Sequence, residues 1–289
     1  MRILILGGNG MLGHQAFGYF AEKYNTKATI RGNLEDYNLP PYFTRDNTYT
    51  NIDSSSFESI EQVIDDFSPN IVLNAIGIIK QRKDAKSYIP SIEINSLLPH
   101  KLANLTRSHS ARLIHLSTDC VFSGRNGNYS ENDLPDARDL YGLSKLLGEL
   151  EDEHCLTLRT SIIGLELSSK LGLIEWFLAQ TGEINGFNKA IYTGFTTMEL
   201  VRILEKIIME YSNLHGIFHV ASDPISKYDL LTKLRDLIDK DDITILPDNE
   251  FKCDRSLDSS RFNNLTGYHA PDWQNMLGEL AEKIKARGK

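Results

Sequence analysis

Arg2-Ile3-Leu4-Ile5-Leu6 runs straight into Gly7-Gly8-Asn9-Gly10-Met11-Leu12-Gly13, and no other stretch restricts the fold of this chain so strongly. A short, nearly continuous apolar run marks a parallel strand buried on both faces. Glycines three residues apart directly after it suit a tight strand-to-helix turn where backbone approaches a pyrophosphate, whose charge the helix N-terminus then favours. The amphipathic stretch 11–24 supplies that helix. A glycine triplet alone is weak evidence; the strand before it and the helix after it give it weight.

Further strands are expected at 27–30, 50–53, 70–77, 112–122 and 157–160, with helical patterns at 57–67 and 88–108 between them. The crossover at 34–49 holds Pro40-Pro41 and no helical period, so it is read as irregular. Strands alternating with helices give an α/β chain, a Rossmann-type doubly wound parallel sheet with a smaller C-terminal substrate-binding lobe. The division falls near residue 163, with a cofactor-binding domain at 1–163 and the lobe at 164–289. In the lobe, helices are expected at 171–180, 197–211 and 228–238 and strands near Ile217 and Ile243. The two parts interleave, since segments near 216–240 return to the sheet.

The formal net charge of −8 disfavours nonspecific binding to nucleic acid, which needs clustered Lys and Arg. Cys120, Cys155 and Cys253 are too widely spaced for a metal-binding pair and are read as three buried thiols. No apolar run approaches the ~18 residues of a membrane span, and Met1 leads directly into a strand. A cytoplasmic protein is expected, with neither nucleic acid nor membrane as partner and no metal.

In doubly wound sheets, ligands sit beyond the carboxyl ends of the strands. Arg31 ends the second strand, where a guanidinium can pair with a 2′-phosphate and an acidic residue would instead accept from a ribose hydroxyl. This favours NADPH, with NADH as the alternative, although Glu35 and Asp36 follow closely. Asp53 with three serines reads as a strand end and helix N-cap. Ala75-Ile76-Gly77 offers nearly bare backbone to a cofactor. The basic run Lys80, Arg82, Lys83 and Lys86 is a candidate grip for a diphosphate, and Asn95 in mid-helix is a candidate for a buried polar task. Ser117-Thr118-Asp119 ends the fifth strand. Tyr141 and Lys145, four residues apart, share one helical face, so phenol and ammonium can address one bound molecule; if the Thr118 hydroxyl faces that pair, the three make a proton-donating site beside a carbonyl.

Taken together, Gly7-x-x-Gly10-x-x-Gly13, Ser117-Thr118-Asp119-x-Val121-Phe122, Tyr141-Gly142-x-Ser144-Lys145-x-x-Gly148-Glu149 and Arg159-Thr160-Ser161 resemble the extended short-chain dehydrogenases, specifically the dTDP-4-dehydrorhamnose reductase group. The likeness spans the chain through Gly194-Phe195-Thr196-Thr197, Gly216-Ile217-Phe218-His219-Val220 and Arg255-Ser256-Leu257-Asp258. It implies NAD(P)H-dependent reduction of a keto group, C4 by the likeness, on a dTDP- or UDP-linked deoxysugar for cell-surface polysaccharide. Tyr141 would be the general acid and Lys145 would bind the nicotinamide ribose and lower the phenol's pKa. Thr118 would hydrogen-bond the reacting oxygen, while Asp119 and Ser161 would meet the substrate. Gly7, Gly10, Met11, Leu12 and Gly13 would line the pyrophosphate, Asp53 and Ser54 the adenine, and Ala75, Ile76 and Gly77 the adjoining ribose. Arg159, Arg255 and Arg261 are candidate diphosphate partners, with structural ion pairing the equal alternative for each, and a second copy of the chain is a candidate partner.

Three positions depart from the group: Cys120 for a tyrosine, Ile162 for an aromatic residue near the sugar, and Thr196 for a proline. The second removes a stacking platform and puts rhamnose itself in question. Two alternatives stand beside the reductase. One is an epimerase or dehydratase with tightly bound NAD, although Asp119-Cys120 lacks the Asp-Glu pair of such dehydratases. The other is a noncatalytic dinucleotide-binding regulatory subunit.

Overall fold

In the computed structural model, which describes residues 1–80 and 86–287, the N-terminal run forms β1 (Arg2–Leu6), with Ile3 to Leu6 fully buried. The glycine turn leads into α1 (Met11–Ala21), and β2 (Asn25–Thr29), β3 (Thr48–Tyr49), α2 (Phe57–Phe67) and β4 (Ile71–Asn74) follow. The long helix after β4 has two α segments, α3 (Tyr88–Ile92) and α4 (Leu98–Ser108), joined by a π turn at Glu93–Leu97. Next come β5 (Arg112–Leu116), α5 (Leu140–Leu146), β6 (Cys155–Arg159), β7 (Ile162–Ile163) and α6 (Leu173–Leu178). The remainder comprises β8 (Gly182–Tyr192), β9 (Phe195–Thr196), α7 (Thr197–Glu210), β10 (Gly216–His219), β11 (Ile225–Ser226), α8 (Lys227–Leu237), β12 (Ile243–Asp254), α9 (Ser260–Thr266) and α10 (Trp273–Arg287).

Seven strands form one sheet in the order β10-β6-β5-β4-β1-β2-β3, every neighbouring pair parallel. This is the expected doubly wound Rossmann sheet. Alternate residues of β1 serve opposite faces, as the period of a strand requires. Ile3 and Ile5 join the core under α1, α7, α8 and α10, whereas Leu4 and Leu6 join the core under α2 and α4. Between β1 and β4 the connections diverge to opposite sides, which opens a crevice at the carboxyl ends.

Several expected bounds shift for local reasons. The third strand is Thr48–Tyr49 rather than 50–53, because Asn51 takes a left-handed φ of 58° and turns the chain. The N-cap position of α2 is Ser56, which makes no side-chain capping bond, while Asp53 Oδ1 accepts from the Ser55 amide and hydroxyl, both at 2.9 Å. The π turn sits where Pro99 has no N–H to offer the Asn95 carbonyl. The thiols are free, and only Cys155 is fully buried; Cys120 and Cys253 are half-buried. Sequence periodicity missed β8, which pairs in parallel with β12 and antiparallel with β11. Most of β8 is not buried, so it carries no alternating apolar signal. Among the described residues, no helix is long and apolar enough to cross a membrane.

A Cβ added at Gly13 would lie 2.1 Å from the Gly7 carbonyl oxygen, whereas one added at Gly278 within α10 would meet nothing within 4 Å. Gly13→Ala is expected to destabilise by about 1–3 kcal/mol through overpacking against main chain. Gly278→Ala should instead stabilise by about 1 kcal/mol through helix propensity. Urea midpoints at unchanged slope would read both, and equal midpoints for the two variants would refute the close approach.

Candidate active site

The glycine turn is held from β2. Gly7, with φ +81°, donates its amide to Thr29 Oγ1 at 3.1 Å, and the Gly8 amide donates to the Thr29 carbonyl at 2.8 Å. Gly10 caps α1 without a side-chain bond, and the first turn has no acidic residue. The leading amides of Met11, Leu12 and Gly13 are therefore placed for an anion, and the tight approach of Gly13 to Gly7 keeps side chains out of the cradle. The residues present fit a dinucleotide pyrophosphate.

Arg31 lies exposed just beyond β2 and makes no hydrogen bond or ion pair among the described residues. Its acidic neighbours are engaged elsewhere: Glu35 pairs with Arg45 at 2.9 Å, and Asp36 Oδ2 accepts from the Asn33 amide at 2.7 Å. Asp53 is held below the usual carboxylate range by the Ser55 amide first, with Arg31 contributing, so Arg31 and Asp53 share one edge of the crevice. Ser54 is half-buried beside them.

The loop of Ala75, Ile76 and Gly77 hangs on three bonds. The Ala75 amide donates to Leu6 O at 3.1 Å, the Ile76 amide to Asn74 Oδ1 at 3.1 Å and the Ile78 amide to Asn95 Oδ1 at 2.9 Å. Asn95, 1% exposed in the π turn, also donates to Ile78 O at 3.0 Å and Ser144 Oγ at 3.2 Å. It thus does the buried polar task expected of it, joining the loop after β4 to α5. Lys80 is spent on Asp139 at 2.8 Å, whose other oxygen caps α5 through the Gly142 amide at 2.9 Å. Lys86 is exposed; Arg82 and Lys83 lie outside the described residues.

Thr118 and Asp119 are buried where β5 ends. Thr118 Oγ1 accepts from the Cys120 amide and donates to Asp119 Oδ1, each at 3.1 Å. Burial pushes the Tyr141 phenol well above the ordinary tyrosine value and Cys120 adds to this, while the Thr118 hydroxyl lying against it pulls the other way. Burial likewise raises the Asp119 carboxyl and lowers the Lys145 ammonium to about 8, Glu149 opposing the latter. Lys145 Nζ donates to Leu116 O at 2.6 Å and bonds no atom of Tyr141 among the described residues. Thr118, Asp119, Tyr141 and Lys145 are brought together, with the glycine turn and the Ala75–Gly77 loop at neighbouring strand ends.

Arg159 is not free to meet a diphosphate. Its guanidinium is buried against Glu149 in a two-pronged ion pair, at 2.8 and 2.7 Å, and Glu149 Oε1 also accepts from Ser117 Oγ at 2.6 Å. Arg261 packs over the Phe218 ring at 4.3 Å and donates to Ile217 O. Arg255 donates to Phe122 O at 2.8 Å and remains within electrostatic reach of Asp119 and Cys120. Ser161 lies against the buried Tyr192 hydroxyl, a neighbour that sequence reasoning did not single out. Tyr192 has no well-formed hydrogen bond among the described residues. Ile162 pairs with Phe195 in the β7-β9 ribbon, and Thr196 caps α7 through the Glu199 amide at 3.5 Å. Asn74 and His115, polar residues inside apolar strands, were also overlooked; their place within such runs was the available signal.

The family described as RmlD substrate binding domain matches residues 1–286. The chain belongs to this family. The match agrees with the likeness carried by the motifs. A dTDP-4-dehydrorhamnose reductase of Aggregatibacter actinomycetemcomitans is 27% identical over 199 residues, 65% of this chain and 68% of that protein. The methionine adenosyltransferase 2 subunit beta of Danio rerio is 28% identical over 264 residues, 86% of this chain and 77% of that one. A solved structure of a hypothetical dTDP-4-dehydrorhamnose reductase from Sulfolobus tokodaii superposes with a TM-score of 0.76 at 25% identity, covering 96% of this chain and 99% of the other. The chain is thus similar both to a reductase and to a subunit of a different enzyme.

Between pH 8 and 10.5 the unfolded chain keeps a proton on Lys145 that the folded chain has released. The unfolded state binds more protons there, so this group makes stability rise with pH across that window, by up to about 3 kcal/mol. Lys145→Met should remove that rise and gain its stability near neutrality. Chemical denaturation at pH 7 and pH 10 checks this, and an unchanged slope in the variant would contradict the lowered ammonium.

Proposed function

We propose that the protein is an NADPH-dependent reductase of a keto group, at C4, on a dTDP- or UDP-linked deoxysugar, serving polysaccharide precursor synthesis. The observation that carries this reading is the meeting of the Thr118 and Tyr141 hydroxyls, with Lys145 one turn along α5, at strand ends that also present the glycine turn. Nicotinamide, when bound, supplies the hydride. Tyr141 gives its phenolic proton to the oxygen on which alkoxide charge develops, and Thr118 turns its hydroxyl from Asp119 Oδ1 to steady that oxygen by hydrogen bonding. Lys145 holds the cofactor ribose, and its ammonium favours the phenolate that proton transfer leaves. Asp119 and Ser161 orient sugar hydroxyls. Gly7, Gly10, Met11, Leu12 and Gly13 take the pyrophosphate, Asp53 and Ser54 the adenine, and Ala75, Ile76 and Gly77 the ribose. Arg31 takes the 2′-phosphate, since Glu35 and Asp36 are held by other partners.

A regulatory role is the second reading, favoured by the match to the Danio rerio subunit over most of the chain. It predicts tight dinucleotide binding, a stable complex with a partner enzyme and no turnover. The reductase reading predicts net oxidation of NADPH with a panel of keto-sugar nucleotides, which also separates it from an epimerase that regenerates its cofactor. Tyr141→Phe should lower turnover by about 10²–10⁴-fold while NADPH binding, read by fluorescence, stays intact. Turnover equal to the parent's would sink the assignment. Arg31→Ala should weaken NADPH by about tenfold or more and spare NADH, because only the former offers a phosphate to the guanidinium. Equal losses for both cofactors would remove Arg31 from that role.

A further inference from the structure

His115 lies beneath the catalytic pair, 1% exposed, in register with Asn74 across the β4-β5 ladder. The hydrogen positions around it follow from one unambiguous donor. The Ile76 main-chain N–H meets Asn74 Oδ1 at 3.1 Å, and a main-chain amide can only donate, so the Asn74 side chain is fixed with its Nδ2 on the other side. Nδ2 lies 3.1 Å from His115 Nδ1. An amide nitrogen also only donates, so Nδ1 must present a lone pair, and the imidazole is neutral with its proton on Nε2. That Nε2 faces Lys145 Nζ at 3.4 Å. An N–H therefore points at the lysine where a buried ammonium would call for an acceptor.

We infer that Asn74 and His115 are positioning residues for Lys145: Asn74 holds His115 in the Nε2–H tautomer, and that N–H biases the lysine towards its free amine. The role in turnover rests on the reductase reading; the tautomer does not. Among the described residues, the charged and titratable groups around the pair are few. Glu149, after α5, favours the ammonium but is shared with Arg159 and Ser117, and Tyr141 lies one turn earlier on α5. Burial first, then Lys145 and the more distant His100 of α4, whose ring bonds Leu147 O, oppose a cationic imidazole. Burial depresses Lys145 as well, and the imidazole N–H adds a directional push to that uniform penalty. Because Ile76 belongs to the loop assigned to the cofactor ribose, the same chain of bonds ties that loop to Lys145.

Asn74→Asp tests the tautomer. A carboxylate can accept from both the Ile76 amide and an Nδ1 proton, so the imidazole should turn over to the Nδ1–H form and present its Nε2 lone pair to the ammonium. In cofactor-free protein labelled at histidine nitrogen and lysine carbon, long-range ¹⁵N spectra should show parent His115 as neutral Nε2–H from pH 6 to 9. Asn74→Asp should show Nδ1–H, with the Lys145 ¹³Cε titration midpoint raised by about one pH unit or more. An Nδ1–H or cationic His115 in the parent overturns the inference, and that measurement needs no variant to fold. So does an inverted tautomer that leaves the Lys145 midpoint unmoved. The alkaline limb of turnover should move with the midpoint; a midpoint that moves while turnover is absent or its limb stays put counts against the reductase reading and leaves the positioning role standing.

Discussion

The buried ion pair between Glu149 and Arg159 ties the end of α5 to the end of β6, and the candidate site stands on it. With side-chain exposures of 4% and 5%, neither charge has water to fall back on. Such a pair persists only when its remaining lone pairs and protons are satisfied. Here Ser117 donates to Glu149, the His219 ring lies 3.2 Å from Arg159 Nη1, and the Phe122 face lies 5.4 Å from the guanidinium carbon. Removing either partner would strand a charge in the interior at about 3–5 kcal/mol. Ser117 is drawn to this pair from the residue before Thr118, and Lys145 sits one turn before Glu149. The strand-end hydroxyl and the lysine are therefore positioned by one network.

A second constraint acts from the other flank. Pro99 frees the Asn95 carbonyl, the helix opens into a π turn, and the Asn95 side chain reaches both the loop after β4 and Ser144 of α5. Without Asn95 the Ile78 amide and carbonyl would each lose a buried partner, a penalty of about 1–3 kcal/mol per group. Tyr141 and Lys145 are thus carried by a helix gripped from both sides. That rigidity suits the proton-donor role proposed for Tyr141, whose pKa burial has raised, since such a donor must meet a developing charge at a defined place to be effective.

The chain outside the seven-stranded sheet follows a different logic. Its three-stranded sheet is largely open to solvent, and the β7-β9 ribbon carries the departures at Ile162 and Thr196. At Thr196 a capping hydroxyl stands where the likeness leads one to expect a proline, and it starts α7 by accepting from the Glu199 amide. No such substitute restores a ring at Ile162; the nearby aromatic hydroxyl is that of Tyr192, beside Ser161 and within electrostatic reach of Asp119.

From the sequence alone came the doubly wound class, the glycine turn, and Thr118, Tyr141 and Lys145 as one group. The glycine turn and the Tyr141-Lys145 pair rest on local patterns, an apolar run with a glycine spacing and an i, i+4 spacing, whereas the sheet class rests on strands alternating with helices and Thr118 joined the pair through the family likeness. Only the tertiary structure decided that Arg159 is an internal counter-ion, that β8 and β12 form a sheet, and that Asn74, His115 and Lys145 make one chain of contacts. Those partners lie 41 and 30 residues apart, and neither has a helical or strand period to announce it. A polar residue within a buried strand says that a partner must exist, because leaving it unpaired is costly. Which partner it finds depends on how parallel strands align and on which helix crosses their ends, and those are fixed by packing across the whole chain.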